Sequence, residues 1–332
     1  MEEQLLQELQ SHYGVGPQYA KAYLDSLQRS QNQVFNTLQE ILNLPPPAPM
    51  WFDYALSTNY RGEQLYQTML PFLPKGAQRY LDIGCGFGGC LVAFGRQGME
   101  VCGIEIDPQR IEFAKINCQD VQIPANIFPL SILGDDIEDK LGTFDILTCM
   151  DVIEHVLDVP KALQNMACLL RPGGVLVLEI PNKDSLFFVA SDGHFNLFGI
   201  TLLPRLEAIE YHRKFFYFEY DVGYYHPLDF YETELNRLGL QPQMISPSLH
   251  PIREIQETDQ LVSQAIRSYI KFLIETQSKV PEKVTQRITL DFATYMNHFL
   301  TDLSKIPEGT QAIEAFRRRY LSDFWTLIAY KK

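Results

Sequence analysis

The chain has 332 residues, is 46% hydrophobic and carries a formal charge of −13 with a pI near 5.0. That is enough apolar material for one large core, or for one core with a smaller helical lobe. The acidic balance and the lack of any run of positive charge argue against nucleic-acid binding, and no apolar stretch approaches the roughly 20 residues of a membrane span.

Leucines and aromatics recur at helical spacing through residues 1–43, from Leu5, Leu6 and Leu9 to Val34, Phe35, Leu38 and Ile41. Pro45, Pro46, Pro47 and Pro49 then break the pattern, so residues 1–49 read as a helical cap joined by a stiff linker. A further helical pattern runs from Trp51 to Leu73. From residue 79 short apolar runs alternate with helical segments: Tyr80–Ile83, Val101–Ile104, Leu130–Leu133, Phe144–Met150 and Val175–Ile180. That alternation predicts a parallel sheet built from strand–helix–strand units. Gln243–Ile245 suggests a further strand and Phe324–Tyr330 a last one. Two segments interrupt the alternation: 183–225, dense in aromatics, and 252–320, which reads as helices with charged outer faces. The six cysteines (Cys85, Cys90, Cys102, Cys118, Cys149 and Cys168) show no metal-ligand spacing and read as small buried hydrophobes in a reducing compartment. With an acidic start, Met1-Glu2-Glu3, unlike a secretory signal, a cytoplasmic location is the expectation.

The run Asp82-Ile83-Gly84-Cys85-Gly86-Phe87-Gly88-Gly89 follows a strand and opens a helix that Gly98 ends. Glycines there let backbone approach a ligand closely, and the helix start offers unsatisfied N–H groups. Gly84, Gly86 and Gly89 also satisfy a dinucleotide fingerprint, with Glu105 near the distance of a ribose-binding acid, so a dehydrogenase competes. Acids at two places separate the readings. Asp82, inside the strand, wants a cationic partner, and Gly134-Asp135-Asp136 places further acid after the third strand. A ligand carrying a sulfonium and an ammonium suits such a pocket better than a pyrophosphate does. Asp107, followed by Pro108, reads as a helix N-cap. That leaves Glu105 as the ribose ligand and Ile106 against an adenine.

With these residues in hand, the chain resembles the class I S-adenosylmethionine-dependent methyltransferases over about residues 51–246 plus the closing strand. The matching motifs are Tyr80–Gly88, Gly103–Asp107, Gly134-Asp135, Phe144–Met150 and Leu169–Gly174. The resemblance implies an α/β, doubly wound, Rossmann-like sheet of seven strands in the order 3-2-1-4-5-7-6, the seventh antiparallel. The expected organisation is a cap at 1–49, a cofactor-binding core at 50–182, an aromatic acceptor-site insertion at 183–225, core again at 226–251, a helical insertion at 252–320 and the last strand at 321–332. Thr148–Val156 looks most like the ubiquinone-biosynthesis O-methyltransferases and their small-molecule relatives, which implies that Arg61 and Met150 contact the cofactor. The expected S-adenosylmethionine site is thus Arg61, Asp82, Gly84, Cys85, Gly86, Glu105, Ile106, Asp135, Asp136 and Met150.

Methyl transfer from a sulfonium is largely a matter of positioning, but a hydroxyl acceptor must also lose its proton. His155 is the expected general base. Asp151, Glu154 and His155 stand at i, i+3 and i+4 and would share one face of a helix. His194, Tyr211, Arg213 and His226 are the expected substrate contacts, as polar groups in an aromatic lining. The expectation is O-methylation of a small molecule without a metal, with no stable membrane association, and a homodimer is compatible with the helical extensions. The alternatives are a peptide, protein side chain or RNA end as acceptor, or a non-catalytic cofactor-binding protein. Methyltransferases acting on RNA 3′ ends, and some quinone O-methyltransferases, hold a divalent cation on a similar set. By that resemblance the metal alternative would use Asp151, Glu154, His155 and His226.

Overall fold

The computed structural model describes residues 2–245 and 252–332; Met1 and the expected boundary at residue 251 lie outside them. Seven strands, β1 (Arg79–Ile83), β2 (Glu100–Ile104), β3 (Ala125–Phe128), β4 (Phe144–Met150), β5 (Leu170–Pro181), β6 (Leu240–Met244) and β7 (Phe324–Lys331), form one sheet. Their order is β3-β2-β1-β4-β5-β7-β6. The first five pair in parallel and β7 runs antiparallel to both its neighbours, as the resemblance implied.

Helices cover both faces of the sheet, so the central strands are almost wholly apolar rather than alternating. Leu81, Leu147, Leu176 and Leu178 point into a core shared with helices 159–169 and 228–237. Tyr80, Ile146, Val175 and Val177 point the other way, against helices 58–69 and 89–95. The third strand corrects the sequence reading: it is Ala125–Phe128, not Leu130–Leu133. At the sheet edge, with one neighbour, it needs only alternate inward residues (Ala125 and Ile127) and so shows no apolar run. Leu130–Leu133 is a turn in which Gly134 donates its N–H to the Ser131 carbonyl at 2.9 Å and Ile132 is buried. Among the cysteines, Cys168 departs from expectation by being exposed.

Helices 2–13, 17–31, 38–42 and 48–56 pack around Leu9, Tyr19, Phe35 and Phe52. The proline run does not end as a free linker: Pro47 and Pro49 start helix 48–56, where a missing N–H costs nothing. This cap sits on helix 108–120 through Phe113, and Asp120 accepts a hydrogen bond from the Tyr19 N–H at 2.8 Å.

The two segments that interrupt the strand–helix alternation share one core. Leu186, Phe195, Phe198 and Tyr211 from the first pack with Leu261, Phe272, Phe292 and Phe299 from the second. Trp51 of the cap meets Phe218 of this lobe edge-on, with ring centres 5.8 Å apart. Among the described residues no helix is long and apolar enough to cross a membrane.

Asn182, fully buried just past β5, ties the lobe to the sheet. Its Nδ2 donates to the carbonyls of Arg319 (2.8 Å) and Ser322 (2.7 Å), and its Oδ1 accepts from the Asp184 N–H at 3.0 Å. Replacement by Leu leaves buried carbonyls without donors. Urea denaturation of Asn182→Leu should show a loss of about 2–3 kcal/mol.

Candidate functional site

The carboxyl ends of β1, β2 and β4 open into a cleft of about 620 Å³. It lies where ligands bind in open α/β sheets. Gly84 and Gly86, with φ of +68° and +50°, carry the chain over its floor. A Cβ on Gly84 would lie 2.4 Å from Val152, whereas one on Gly86 would meet nothing closer than 3.9 Å, leaving the cradle open above it. The N–H groups of Gly84 and Cys85 donate to the Ile104 carbonyl and pin the loop to β2.

Arg61, Asp82, Gly84, Cys85, Gly86, Glu105, Ile106, Met150, Asp151 and His155 all line this one cleft. Glu105 is buried and fixed: Oε2 accepts from the Gly86 N–H (3.1 Å), and Oε1 from those of Ile106 (2.7 Å) and Asp107 (3.0 Å). Asp107 caps helix 108–120 through the N–H groups of Gln109 and Arg110. Ile106 is 73% exposed, an apolar side chain bare in the cleft. Arg61 lies with its guanidinium carbon 3.5 Å from the Tyr54 ring centre and donates to the Tyr54 carbonyl at 2.8 Å, while its buried Nε has no hydrogen-bond partner. Asp82 accepts from the Thr148 hydroxyl at 2.7 Å. Burial pushes its pKa up to about 7, the Thr148 bond pulling down and Glu105 pushing further up.

Other expected residues lie elsewhere. Asp135 and Asp136 stand outside the cleft in a shallow depression, where Asp135 pairs with Lys161 at 2.6 Å. Because β3 ends at Phe128, it is the turn 130–133 that borders the cleft, and the chain has left it by Asp135. Tyr211 is buried in the lobe core against Phe215 and Phe272, and Arg213 points to solvent just past that helix. His226 stacks on Phe230 with ring centres 3.9 Å apart and belongs to no cluster with Glu154. Nor do Asp151, Glu154 and His155 share a helical face. Asp151 has φ of +53°, and only a three-residue 3₁₀ turn, Ile153–His155, follows. Tyr54 donates its hydroxyl to Asp151 at 3.4 Å instead.

Glu154 turns inward, 1% exposed, between two imidazoles: His155 Nε2 at 3.7 Å and His194 Nε2 at 3.6 Å. Burial would raise the Glu154 pKa, but His194 and His155 outweigh it and hold the carboxyl below its usual value. Burial would likewise lower His194, yet Glu154 and then Asp192 lift it to about 9. The His155 Nδ1 faces the Asp221 carbonyl at 3.2 Å.

Tyr54, Tyr60, Glu179 and Asp221 also line the cleft and were not foreseen. Glu179 had a signal: it is the one charge in the apolar run Val175–Ile180, and it is 2% exposed beside Met150 of β4. Tyr54 and Asp221 arrive from segments with no local motif.

The cleft fits S-adenosylmethionine. Two positive-φ glycines open its floor to close approach, and it offers a buried guanidinium nitrogen without a partner, a buried acid, a fixed carboxylate and a bare isoleucine, a donor set that matches the ligand's carboxylate, ammonium, ribose and adenine in kind.

Comparison with known proteins agrees with that fit. A family profile described as "Methyltransferase domain" matches residues 54–243, more than half of the chain. A ubiquinone biosynthesis O-methyltransferase of Xanthomonas axonopodis pv. citri (strain 306) is 33% identical over 110 residues, 33% of this chain and 45% of the relative. One of Albidiferax ferrireducens is 29% identical over 132 residues, 40% of this chain and 52% of the relative. The chain thus spans about half the length of the curated relatives it matches. A SAM-dependent methyltransferase structure from Archaeoglobus fulgidus superposes with a TM-score of 0.48 at 17% identity, over 85% of this chain and 98% of the other. The chain belongs to the methyltransferase-domain family and is a class I S-adenosylmethionine-dependent methyltransferase.

Proposed function

We propose that the chain methylates a hydroxyl group of a small-molecule acceptor, with His155 as the general base. The observation that carries this reading is the placement of His155: it lines the cofactor cleft, partly exposed, with Nδ1 toward the Asp221 carbonyl and Nε2 near the Glu154 carboxylate. An Nδ1–H donated to that carbonyl leaves Nε2 free to take the acceptor's proton. Glu154 then stabilises the imidazolium that forms. Arg61 and Asp82 hold the carboxylate and ammonium of the methyl donor, Glu105 its ribose hydroxyls, and Gly84 and Gly86 let it approach the backbone. Bound there, S-adenosylmethionine supplies a methyl group already activated on sulfur. Part of the sequence likeness to ubiquinone O-methyltransferases supports a hydroxyl as the acceptor group.

A second reading has its own observation. One ligand atom each from Glu154, His155 and His194 lie within 4.8 Å of one another, a spacing that suits a divalent cation. His194, not His226, is the later histidine of that set. Such a cation would lower the acceptor hydroxyl's pKa without a base.

Transfer of labelled methyl from S-adenosylmethionine into fractionated cell extract tests both. Label is expected in small molecules. His155→Ala should lose roughly 10²–10⁴-fold in rate while binding the cofactor as before, and exhaustive chelation should leave the wild-type rate intact. Undiminished transfer by His155→Ala removes the base, activity lost on chelation and restored by added Mg²⁺ or Zn²⁺ establishes the metal, and label in protein or RNA overturns the acceptor class.

The Glu154–His194 pair makes a pH prediction for stability. A histidine raised to about 9 contributes stability that is full below its ordinary value near 6.5 and is lost as pH rises through 9. Glu154, held low, contributes above its own usual range. Chemical denaturation should therefore find His194→Gln most destabilised, relative to wild type, near pH 6, with the difference shrinking by pH 9.5.

A further inference from the structure

Behind the cleft, three side chains on β1 and β4 form a chain of hydrogen bonds. The Thr148 hydroxyl donates to Asp82 Oδ1 at 2.7 Å, and the Tyr80 and Thr148 hydroxyl oxygens are 2.5 Å apart. Tyr80 and Thr148 are fully buried and Asp82 is 4% exposed. An ionised carboxylate only accepts, so Thr148 must spend its single proton on Asp82. The Tyr80 hydroxyl is then the donor toward Thr148, and it also lies within reach of Asp82 itself and of the Cys90 thiol. Both hydroxyl protons point the same way, toward the carboxylate, and each bond polarises the next. Phe94 stacks on the Tyr80 ring at 3.9 Å and 2°, which fixes the far end. The register sets Asp82 directly opposite Thr148, so the order of the three residues follows from strand pairing alone.

We propose that Tyr80 and Thr148 are positioning residues for the methyl donor, whose hydroxyls aim the Asp82 carboxyl at the ligand's ammonium and favour its ionised form. This rests on Asp82 being the ammonium's partner. Thr148 engages Asp82 Oδ1, and Asp82 lines the cleft. The chain acts against two opposing influences, burial and the Glu105 carboxylate, and Arg61 is the cation that assists it. The thiols of Cys85, Cys90 and Cys149, which also face Asp82, are pushed up by burial and stay neutral. The ligand-free carboxyl is therefore poised to exchange its proton near neutrality, and a cation seated against it expels that proton. Cofactor binding becomes coupled to proton release, and the two buried hydroxyls lower the pH at which the coupling operates, against the larger influence of burial.

Calorimetric titration of the full chain with S-adenosylmethionine between pH 5.5 and 7.2 tests this, a range in which an α-amino group of ordinary pKa, about 7.7–8.0, is mostly protonated. The wild-type affinity should rise with pH and level off near 7. Thr148→Val should weaken binding roughly tenfold at pH 7, the cost of losing one charge-assisted bond, and should move the break to higher pH. Tyr80→Phe should do the same to a smaller degree, and Thr148→Ser should restore wild-type behaviour. Asp82→Asn should bind weakly and without a break. If Asp82→Asn binds like wild type, the ammonium assignment itself fails, and the proposal with it. If it binds weakly but Thr148→Val and Tyr80→Phe keep the wild-type break, Asp82 is the partner and the hydroxyl chain is idle. A uniform loss of affinity with a lowered melting temperature and an unmoved break assigns Tyr80 and Thr148 a structural role and overturns the proposal. Should Thr148→Val fail to fold, the break in Tyr80→Phe decides between the same outcomes.

Discussion

The structure depends on one close approach of backbone to backbone. Helix 58–69 crosses the start of helix 89–95 so tightly that a Cβ on Gly62 would lie 2.2 Å from the Gly89 carbonyl, and one on Gly89 would lie 2.0 Å from the Thr58 carbonyl. Neither atom is the end of a flexible side chain, so neither can give way. A reciprocal side-chain pair holds the crossing in place. Asn59 and Asn117 exchange hydrogen bonds at 3.0 and 2.8 Å, and Asn117 also donates to the Phe87 carbonyl of the glycine loop. Because of that contact, Arg61 and Tyr54, which belong to a different helical layer, reach the carboxyl edge of the sheet. The glycine loop is thus confined on both sides: Val152 of the segment after β4 closes in on Gly84, and Thr58 on Gly89.

Around that crossing, two sets of buried charges follow different logic. Asp82 and Glu105 line the cleft, and their hydrogen bonds come from hydroxyl and backbone N–H donors. Glu154 is paired from within the protein with His194, and the His155 imidazole stands on its other side. A buried carboxylate kept by neutral donors can still take a cationic partner, whereas one already flanked by imidazoles has its partners within the protein. The aromatic lobe brings His194 and Asp221 to this second group, and the Gly223 N–H bonds the Glu154 carbonyl so that the lobe lies directly on the turn carrying His155. The lobe therefore supplies the groups around Glu154 and His155, and the sheet carries those around Asp82 and Glu105.

Much of this was legible in the sequence, for identifiable reasons. Strands buried on both faces announce themselves as apolar runs, so β1, β2, β4, β5 and β7 could be placed, and the order of the sheet came with the motif resemblance. The edge strand β3 could not, because with one neighbour it needs no such run, and its misplacement carried Asp135 and Asp136 into the expected site. Residues bound to the glycine loop by short-range geometry, such as Glu105 and Asp107, were readable from spacing. His194 and Asp221 reach Glu154 and His155 only through the tertiary packing of the lobe, and His226 and Tyr211 look equally plausible in one dimension. The helical spacing of Asp151, Glu154 and His155 misled because no helix forms there: a left-handed Asp151 turns the chain first. The shared core of the 183–225 and 252–320 segments likewise lies beyond local pattern, since each alone reads only as aromatic or helical.

The glycine loop by itself serves a dinucleotide as well as a sulfonium ligand, so the claim that the cleft as a whole selects S-adenosylmethionine is the one on which the account stands. Equilibrium titration of the purified chain at neutral pH with S-adenosylmethionine and, separately, with NAD tests it most directly. The account predicts one-to-one binding of S-adenosylmethionine, displaced by S-adenosylhomocysteine, with no measurable binding of NAD. Binding of NAD without S-adenosylmethionine would contradict it.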